Sequence, residues 1–377
     1  MTVVAAPRAA YIHVPFCRHR CGYCNFTVVA GRDELVDRYL DALQLECRAL
    51  EVPRRVDTLY VGGGTPTHLS IGQLRRLGTL LDRWFIRSED DEYTFEANPA
   101  DLTRDKVDCL ADMGVNRLSL GVQSFQAEKL RMLERDHSPR QAAGCCEMVR
   151  RRIANITLDM IFAVPGESLS QWQQDLQRAC EQQVPHMSVY GMTFERGTMF
   201  WNRRRHGTLD EVDEQTQATM YEWTIDHLSA GGWQQYEVSN YARPGWRSRH
   251  NQVYWRGEEY FAIGAGASRY VAGVRETNHR STTTYIQRML QGRSPVAERE
   301  CLDVVQKARE RLVLGLRRME GVSQQWFCEV TGISLDELAG ADLRRLQSLG
   351  LLVEENDHWR LTRAGLMVSD SIWVELL

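Results

Sequence analysis

The 377-residue chain has no run of eighteen apolar residues, so nothing in it reads as a helix crossing a membrane. It has no cationic surplus either. Forty-six Lys and Arg face 50 Asp and Glu, a formal net charge of −4, which excludes the broad positive field that holds nucleic acid. The ten residues ahead of the first apolar run, Tyr11-Ile12-His13-Val14, hold no apolar core of signal-peptide length. The expectation is a cytoplasmic protein without a transmembrane segment, with peripheral membrane contact left open. Low-complexity linkers and short-period repeats are absent. A disulfide framework is absent too, because seven of the ten cysteines are scattered as small apolar residues. The exception is one tight group, Cys17, Cys21 and Cys24.

What is present is alternation. Short apolar runs at Tyr11–Val14, Thr58–Val61, Tyr93–Glu96, Arg117–Leu120, Ile156–Phe162 and His186–Tyr190 read as strands. Between them, Asp33–Leu50, Ile71–Phe85, Lys106–Met113, Arg140–Arg152 and Leu169–Gln183 carry apolar residues at helical spacing. Six strand–helix units with right-handed crossovers give an α/β fold with a parallel sheet, either a wound layer or an open barrel. The special residues collect in the turns after strands, where parallel sheets place their sites. Residues 1–230 form this unit. Residues 231–300 are an aromatic-rich connecting region, and residues 301–377 end as helix, helix and a small hairpin, a winged-helix-like α+β domain. That tail holds 9 Lys and Arg against 12 Asp and Glu. Its sign is wrong for reading DNA, so a packing or docking role is expected.

The cysteines stand as CxxxCxxC in the loop after the first strand. Three thiolates on one short loop can each ligate an iron of a cuboidal 4Fe–4S cluster and leave the fourth iron open. A zinc site is the other reading, with His13 or His19 completing a closed tetrahedron. The second strand runs into Gly62-Gly63-Gly64-Thr65-Pro66, where three glycines let the backbone approach a ligand closely. This turn lacks the Lys-Ser/Thr ending of a phosphate-binding loop.

Taken together, these motifs resemble the radical S-adenosylmethionine (SAM) superfamily in its coproporphyrinogen oxidase-like branch. The resemblance rests on Tyr-Ile-His-Val-Pro-Phe-Cys at 11–17, CxxxCxxC and Gly-Gly-Gly-Thr-Pro at 62–66. It continues through Phe-Glu-Ala-Asn-Pro at 95–99, Gly-Val-Gln-Ser-Phe at 121–125, Asp-Met-Ile-Phe-Ala-Val-Pro-Gly at 159–166 and His-Asn-Gln-Val-Tyr-Trp at 250–255. It implies an open parallel (β/α)6 barrel, a 4Fe–4S cluster on Cys17, Cys21 and Cys24, and SAM chelating the fourth iron. It further implies that Tyr11 and Tyr23 line the adenosyl site and that Gly63, Gly64 and Thr65 meet the methionine amine. Glu96, Gln123, Arg135 and Asp159 would hold ribose, ammonium and carboxylate groups. The implied chemistry is one-electron cleavage at the SAM sulfonium, supplied by the cofactor, with an electron donor as partner and no protein acid–base pair to nominate.

Two groups share this branch, heme chaperones and oxygen-independent coproporphyrinogen III oxidases. The oxidases resemble CxxxCxxCxC, whereas Phe26 occupies the last position here, and their longer N-terminal arm is not expected. The motif His250–Trp255 is similar to one associated with heme in the chaperones. There His250 would contact heme, Tyr254 and Trp255 would stack on it, and an acceptor protein would receive it. An aromatic core patch around a hydrogen-bonded histidine is the plainer reading of the same residues. Asn25 and Ser268 depart from the branch, which often has aspartate and histidine there.

Overall fold

The computed structural model describes residues 6–377. Six parallel strands form its centre: β1 (Ala9–Val14), β2 (Arg54–Gly63), β3 (Phe85–Ala97), β4 (Arg117–Gln123), β5 (Asn155–Phe162) and β6 (His186–Gly191). They pair in chain order, with Ala9 opposite Thr58, Tyr60 opposite Thr94, Glu96 opposite Ser119 and Asp159 opposite Ser188. The open parallel (β/α)6 barrel is therefore the observed fold. Short strands from the connecting region extend it. Phe261–Ile263 lies parallel to β1, and Asn240–Ala242 lies antiparallel to β6. The sheet thus has two unjoined edges, as an open barrel must.

Each crossover helix stands where its sequence starts it. Ser70, Ser138 and Ser168 cap the helices Ile71–Trp84, Pro139–Arg150 and Leu169–Glu181, and the glutamine three positions on returns each bond as a capping box. The third strand begins earlier than its apolar run suggests, because Phe85 leaves the helix and pairs with Arg54.

The two faces of the sheet differ in chemistry. Leu59, Val61, Tyr93, Phe95, Leu118, Leu120, Ile156, Leu158, Met160, Met187 and Val189 pack into one core with the helices. The alternate residues are polar: Tyr60, Thr94, Glu96, Ser119, Thr157, Asp159, Ser188 and Tyr190. Parallel strands covered on both sides usually read as continuous apolar runs. Here one face is kept polar, which prepares the barrel interior for polar ligands.

A second core closes the tail. Helices Val304–Leu316, Gln324–Thr331 and Leu335–Ser348 pack with a three-stranded sheet of Val322–Ser323, His358–Leu361 and Leu352–Glu355. The tail is seated on the barrel by Arg317, whose guanidinium lies 4.7 Å from the Trp255 ring centre and 5.9 Å from that of Trp373. Arg363 and Asp226 add an exposed ion pair. No described helix is long and apolar enough to cross a membrane.

Candidate functional site

The loop after β1 carries Cys17, Cys21 and Cys24, all free and half-buried. Three contacts fix it at the carboxyl end of the sheet. Cys17 Sγ lies 3.4 Å from Thr65 Oγ1 in the glycine turn. Arg135 Nη1 points at Cys21 Sγ from 3.6 Å. Gly22 N–H donates to Glu134 Oε2 at 2.8 Å, while Phe200 N–H donates to the Gly22 carbonyl. Burial pushes the Cys17 thiol up to about 12, so a cationic centre is what would draw the proton off.

This donor set suits a cluster better than a single ion. Zinc requires four ligands within about 2.3 Å of one point. Among the described residues no three His, Cys, Asp or Glu side chains are gathered in that way. His13 has both ring nitrogens engaged, by Tyr11 Oη at 2.9 Å and the Thr27 carbonyl at 2.7 Å. His19 faces Glu134 at 3.8 Å. A cubane takes one thiolate per iron, so three free cysteines on one short loop suffice for it.

The glycine turn is built for close approach. Gly63 has φ +112°, and a Cβ there would run into the His13 ring. A Cβ on Gly64 would stand 2.7 Å from the Pro15 backbone. Glu96 ties the turn to the polar face by accepting from Gly63 N–H at 2.9 Å and Tyr60 O–H at 2.8 Å. Burial raises the Glu96 carboxyl above its ordinary range.

Farther around the sheet, Asp159 accepts from Ser119 O–H at 3.2 and 3.1 Å. Burial, and then the charge of Glu96, lift the Asp159 carboxyl to about 7. Two carboxylates thus share an interior face with no Lys or Arg ion-paired to either among the described residues, a demand for a cationic or hydroxyl-rich ligand. Arg135 provides the opposite charge. Its Nη2 donates to the Gly121 carbonyl at 2.7 Å and to Asn98 Oδ1 at 3.0 Å, and its Nε is buried without a partner. Gln123, at the bulged end of β4, sits at φ +65°, a strained backbone for a non-glycine residue. Tyr11 lies against Tyr60, and Tyr23 against Phe200.

The structure thus brings Tyr11, Tyr23, Gly63, Gly64, Thr65, Glu96, Gln123, Arg135 and Asp159 to one end of the sheet with the three cysteines. His250 lies elsewhere. It is buried one layer down, its Nδ1 2.9 Å from Thr58 Oγ1 and its Nε2 2.8 Å from Tyr254 Oη, stacked on Tyr60. Burial depresses the ring to about 3, and neither nitrogen is free for iron in this arrangement. Its partner Tyr254 faces a 620 Å³ cavity shared with Tyr11, Phe26, Ser268 and Arg280. Trp255 turns instead to Arg317. Sequence reasoning missed Tyr60, Ser119 and Asn98, which hold Glu96, Asp159 and Arg135. Strict alternation inside parallel strands was the signal for the first two.

Comparison with known proteins follows this geometry. The family description "Radical SAM superfamily" matches residues 11–179, and "HemN C-terminal domain" matches residues 302–368. Heme chaperone HemW of Lactococcus lactis subsp. lactis is 36% identical over 375 residues, covering 98% of this chain and 97% of the relative. HemW of Bacillus subtilis is 36% identical over 371 residues, 97% and 98% of the two chains. HemW of Escherichia coli is 34% identical over 378 residues, 97% of each. Among solved structures, coproporphyrinogen III oxidase (HemN) from Escherichia coli superposes with a TM-score of 0.86 at 23% identity, over 98% of this chain and 90% of that one. At that identity the likeness speaks for the fold.

Proposed function

The chain belongs to the HemW family of radical SAM proteins, and from that premise we propose that it binds heme and passes it to an acceptor protein. The observation that carries the reading is the meeting of two regions at one cavity, whose Tyr11 wall adjoins the glycine turn and whose Tyr254 wall comes from the His250–Trp255 helix. A cavity of 620 Å³ lies in the range that takes a flat drug-sized or cofactor-sized ligand.

Cys17, Cys21 and Cys24 hold a 4Fe–4S cluster in this reading, and Tyr11, Tyr23, Gly63, Gly64, Thr65, Glu96, Gln123, Arg135 and Asp159 hold SAM. When bound, the two supply one-electron chemistry. The chain's own residues do the rest. The glycine turn presents backbone groups to an amine, and Glu96 holds that turn in place. Arg135 is suited to a carboxylate, with Asn98 and Gly121 fixing its plane. Tyr254 presents its ring to the cavity, and His250 acts by holding the Tyr254 hydroxyl.

The test is anaerobic reconstitution of the full chain, with iron and sulfide counted, then heme titration and a coproporphyrinogen assay on the same sample. The expected result is four irons, saturable heme binding and no vinyl product. Vinyl product formation with SAM and a reductant would overturn the chaperone reading in favour of the oxidase. Zinc in place of iron would overturn the cluster.

A further inference from the structure

The cavity that carries the heme reading offers iron few donors. Among the described residues it is lined by no cysteine and no methionine, and Ser268 stands where the branch often has histidine. Its one histidine is already committed. His13 Nε2 must carry the ring proton to donate to the Thr27 carbonyl at 2.7 Å, and Nδ1 accepts from Tyr11 O–H at 2.9 Å. The one carboxylate, Glu298, is exposed on the strand Val296–Glu300. What remains are three phenols, Tyr11, Tyr254 and Tyr260. A tyrosine oxygen, once it has lost its proton, is a known type of axial ligand for heme iron.

The three phenols differ in what stands behind them. Tyr11 faces Nδ1 of His13, a lone pair fixed by the carbonyl on the far side of the ring, so an anionic Tyr11 oxygen would meet repulsion there. Tyr260 has Arg275 for a neighbour, but that guanidinium is already held by Glu300 at 2.7 Å and Glu310 at 2.8 Å. Tyr254 Oη lies 2.8 Å from His250 Nε2, one helical turn away in Arg249–Trp255. The other nitrogen, Nδ1, lies 2.9 Å from a hydroxyl, Thr58 Oγ1, which can either donate or accept. This ring is therefore free to take either tautomer. It accepts from Tyr254 when the phenol holds its proton, and it turns Nε2–H on the oxygen when the proton is gone. Burial keeps the ring neutral in both states.

We propose that the Tyr254 oxygen is the axial ligand of ferric heme in this cavity, and that His250 is the positioning residue that steadies the phenolate from behind. The inference rests on the heme reading above. In the binding step the iron–oxygen bond forms as the phenol O–H bond breaks. One proton leaves to solvent, and no electron moves. Burial pushes the phenol up, so Tyr254 keeps its proton until ferric iron displaces it. The pairing also explains why a buried histidine stands beside a heme cavity that it does not line.

The experiment is resonance Raman and absorption spectroscopy of the reconstituted full chain titrated with ferric heme, read as the difference between heme-loaded and heme-free protein. The parent should show ring modes of an iron-bound phenolate, and these should shift when the chain is grown on ring-deuterated tyrosine. Tyr254→Phe keeps the ring in place and should lose those modes, move the Soret band and weaken ferric heme binding at least about 10-fold. His250→Ala should keep the modes and the Soret position but shift the phenolate C–O stretch, because the oxygen loses its N–H donor. A role confined to packing would leave that stretch unmoved and overturn the part given to His250. Tyr260→Phe should retain every phenolate mode, and their loss there would overturn the assignment to Tyr254. A parent that binds heme without phenolate modes, or a Tyr254→Phe chain that keeps them, overturns this proposal alone. A parent that binds no heme overturns both this proposal and the reading on which it rests.

Discussion

Two polar layers cross the interior face of the sheet, and they are satisfied in different ways. In the lower layer the chain answers its charged groups fully, and of the histidines only His186 keeps one ring nitrogen unpaired. Glu92 accepts from Arg249 N–H and His250 N–H, both at 2.9 Å, and from Ser248 O–H at 3.3 Å. Arg117 donates to Thr157 at 2.7 Å and Asn155 at 2.9 Å. His186 and Tyr236 meet at 2.8 Å, and His250 is held on both sides. In the upper layer the chain answers less: Glu96 takes one N–H and one O–H, Asp159 takes the Ser119 hydroxyl, and Arg135 keeps one buried N–H without a partner. The contrast separates structure from binding capacity. Polar groups the protein answers itself hold the fold. Those it answers only in part are a standing cost that a ligand of the right charge removes.

That distinction can be broken at Asp159, where the largest effect is expected. Its carboxyl titrates near 7 in the fold against about 4 when unfolded. Below about 4 both states hold the proton. From there to about 7 only the folded chain does, so its contribution to stability is lost as pH rises, by up to about 4 kcal/mol. Asp159→Asn should therefore stabilise the ligand-free chain at pH 8, do little at pH 4, and weaken SAM binding. Urea unfolding at the two pH values and calorimetric titration with SAM check this, and a variant less stable than the parent at pH 8 would erase the contrast between layers.

The lower layer should respond in the opposite sense. Glu92→Ala orphans three donors at the start of the helix Arg249–Trp255 and should cost about 3 kcal/mol of unfolding free energy. SAM affinity, measured on protein still folded at 10 °C, should stay within a factor of about two, well inside the 1.4 kcal/mol that separates tenfold effects. His250→Ala leaves the hydroxyls of Thr58 and Tyr254 unpaired and should cost about 2 kcal/mol. Heme affinity should weaken modestly in that variant while the Soret maximum stays in place. A displaced Soret band would show that the imidazole reaches iron and would move His250 out of the lower layer. At the small end, Arg363→Ala removes an exposed ion pair between tail and barrel and should change thermal stability by less than about 1 kcal/mol.

Much of this was legible in the residues. CxxxCxxC and the triple glycine announce themselves because few other uses demand three thiols or three missing Cβ atoms so close together. The six strands were found by their apolar positions. The polar positions between them, such as Tyr60 between Leu59 and Val61 or Ser119 between Leu118 and Leu120, carried as much information and went unread. Arg135 was expected at a ligand, but its hold on Cys21 and its Asn98 support depend on a loop meeting a strand end 37 residues away in sequence, which no local pattern encodes. His250 shows the reverse limit. A histidine beside two aromatics looks the same on paper whether it faces a ligand or a threonine, and only the packing of its helix against β2 decides.

The Arg317 side chain gives the tail a consequence beyond its own packing. One guanidinium serves Trp373 in the last helix and Trp255 in the helix that presents Tyr254. The far terminus and the wall of the interior chamber are thus riveted at a shared point. Any force on the helix Ser369–Leu376 is thereby passed to that wall through a single side chain.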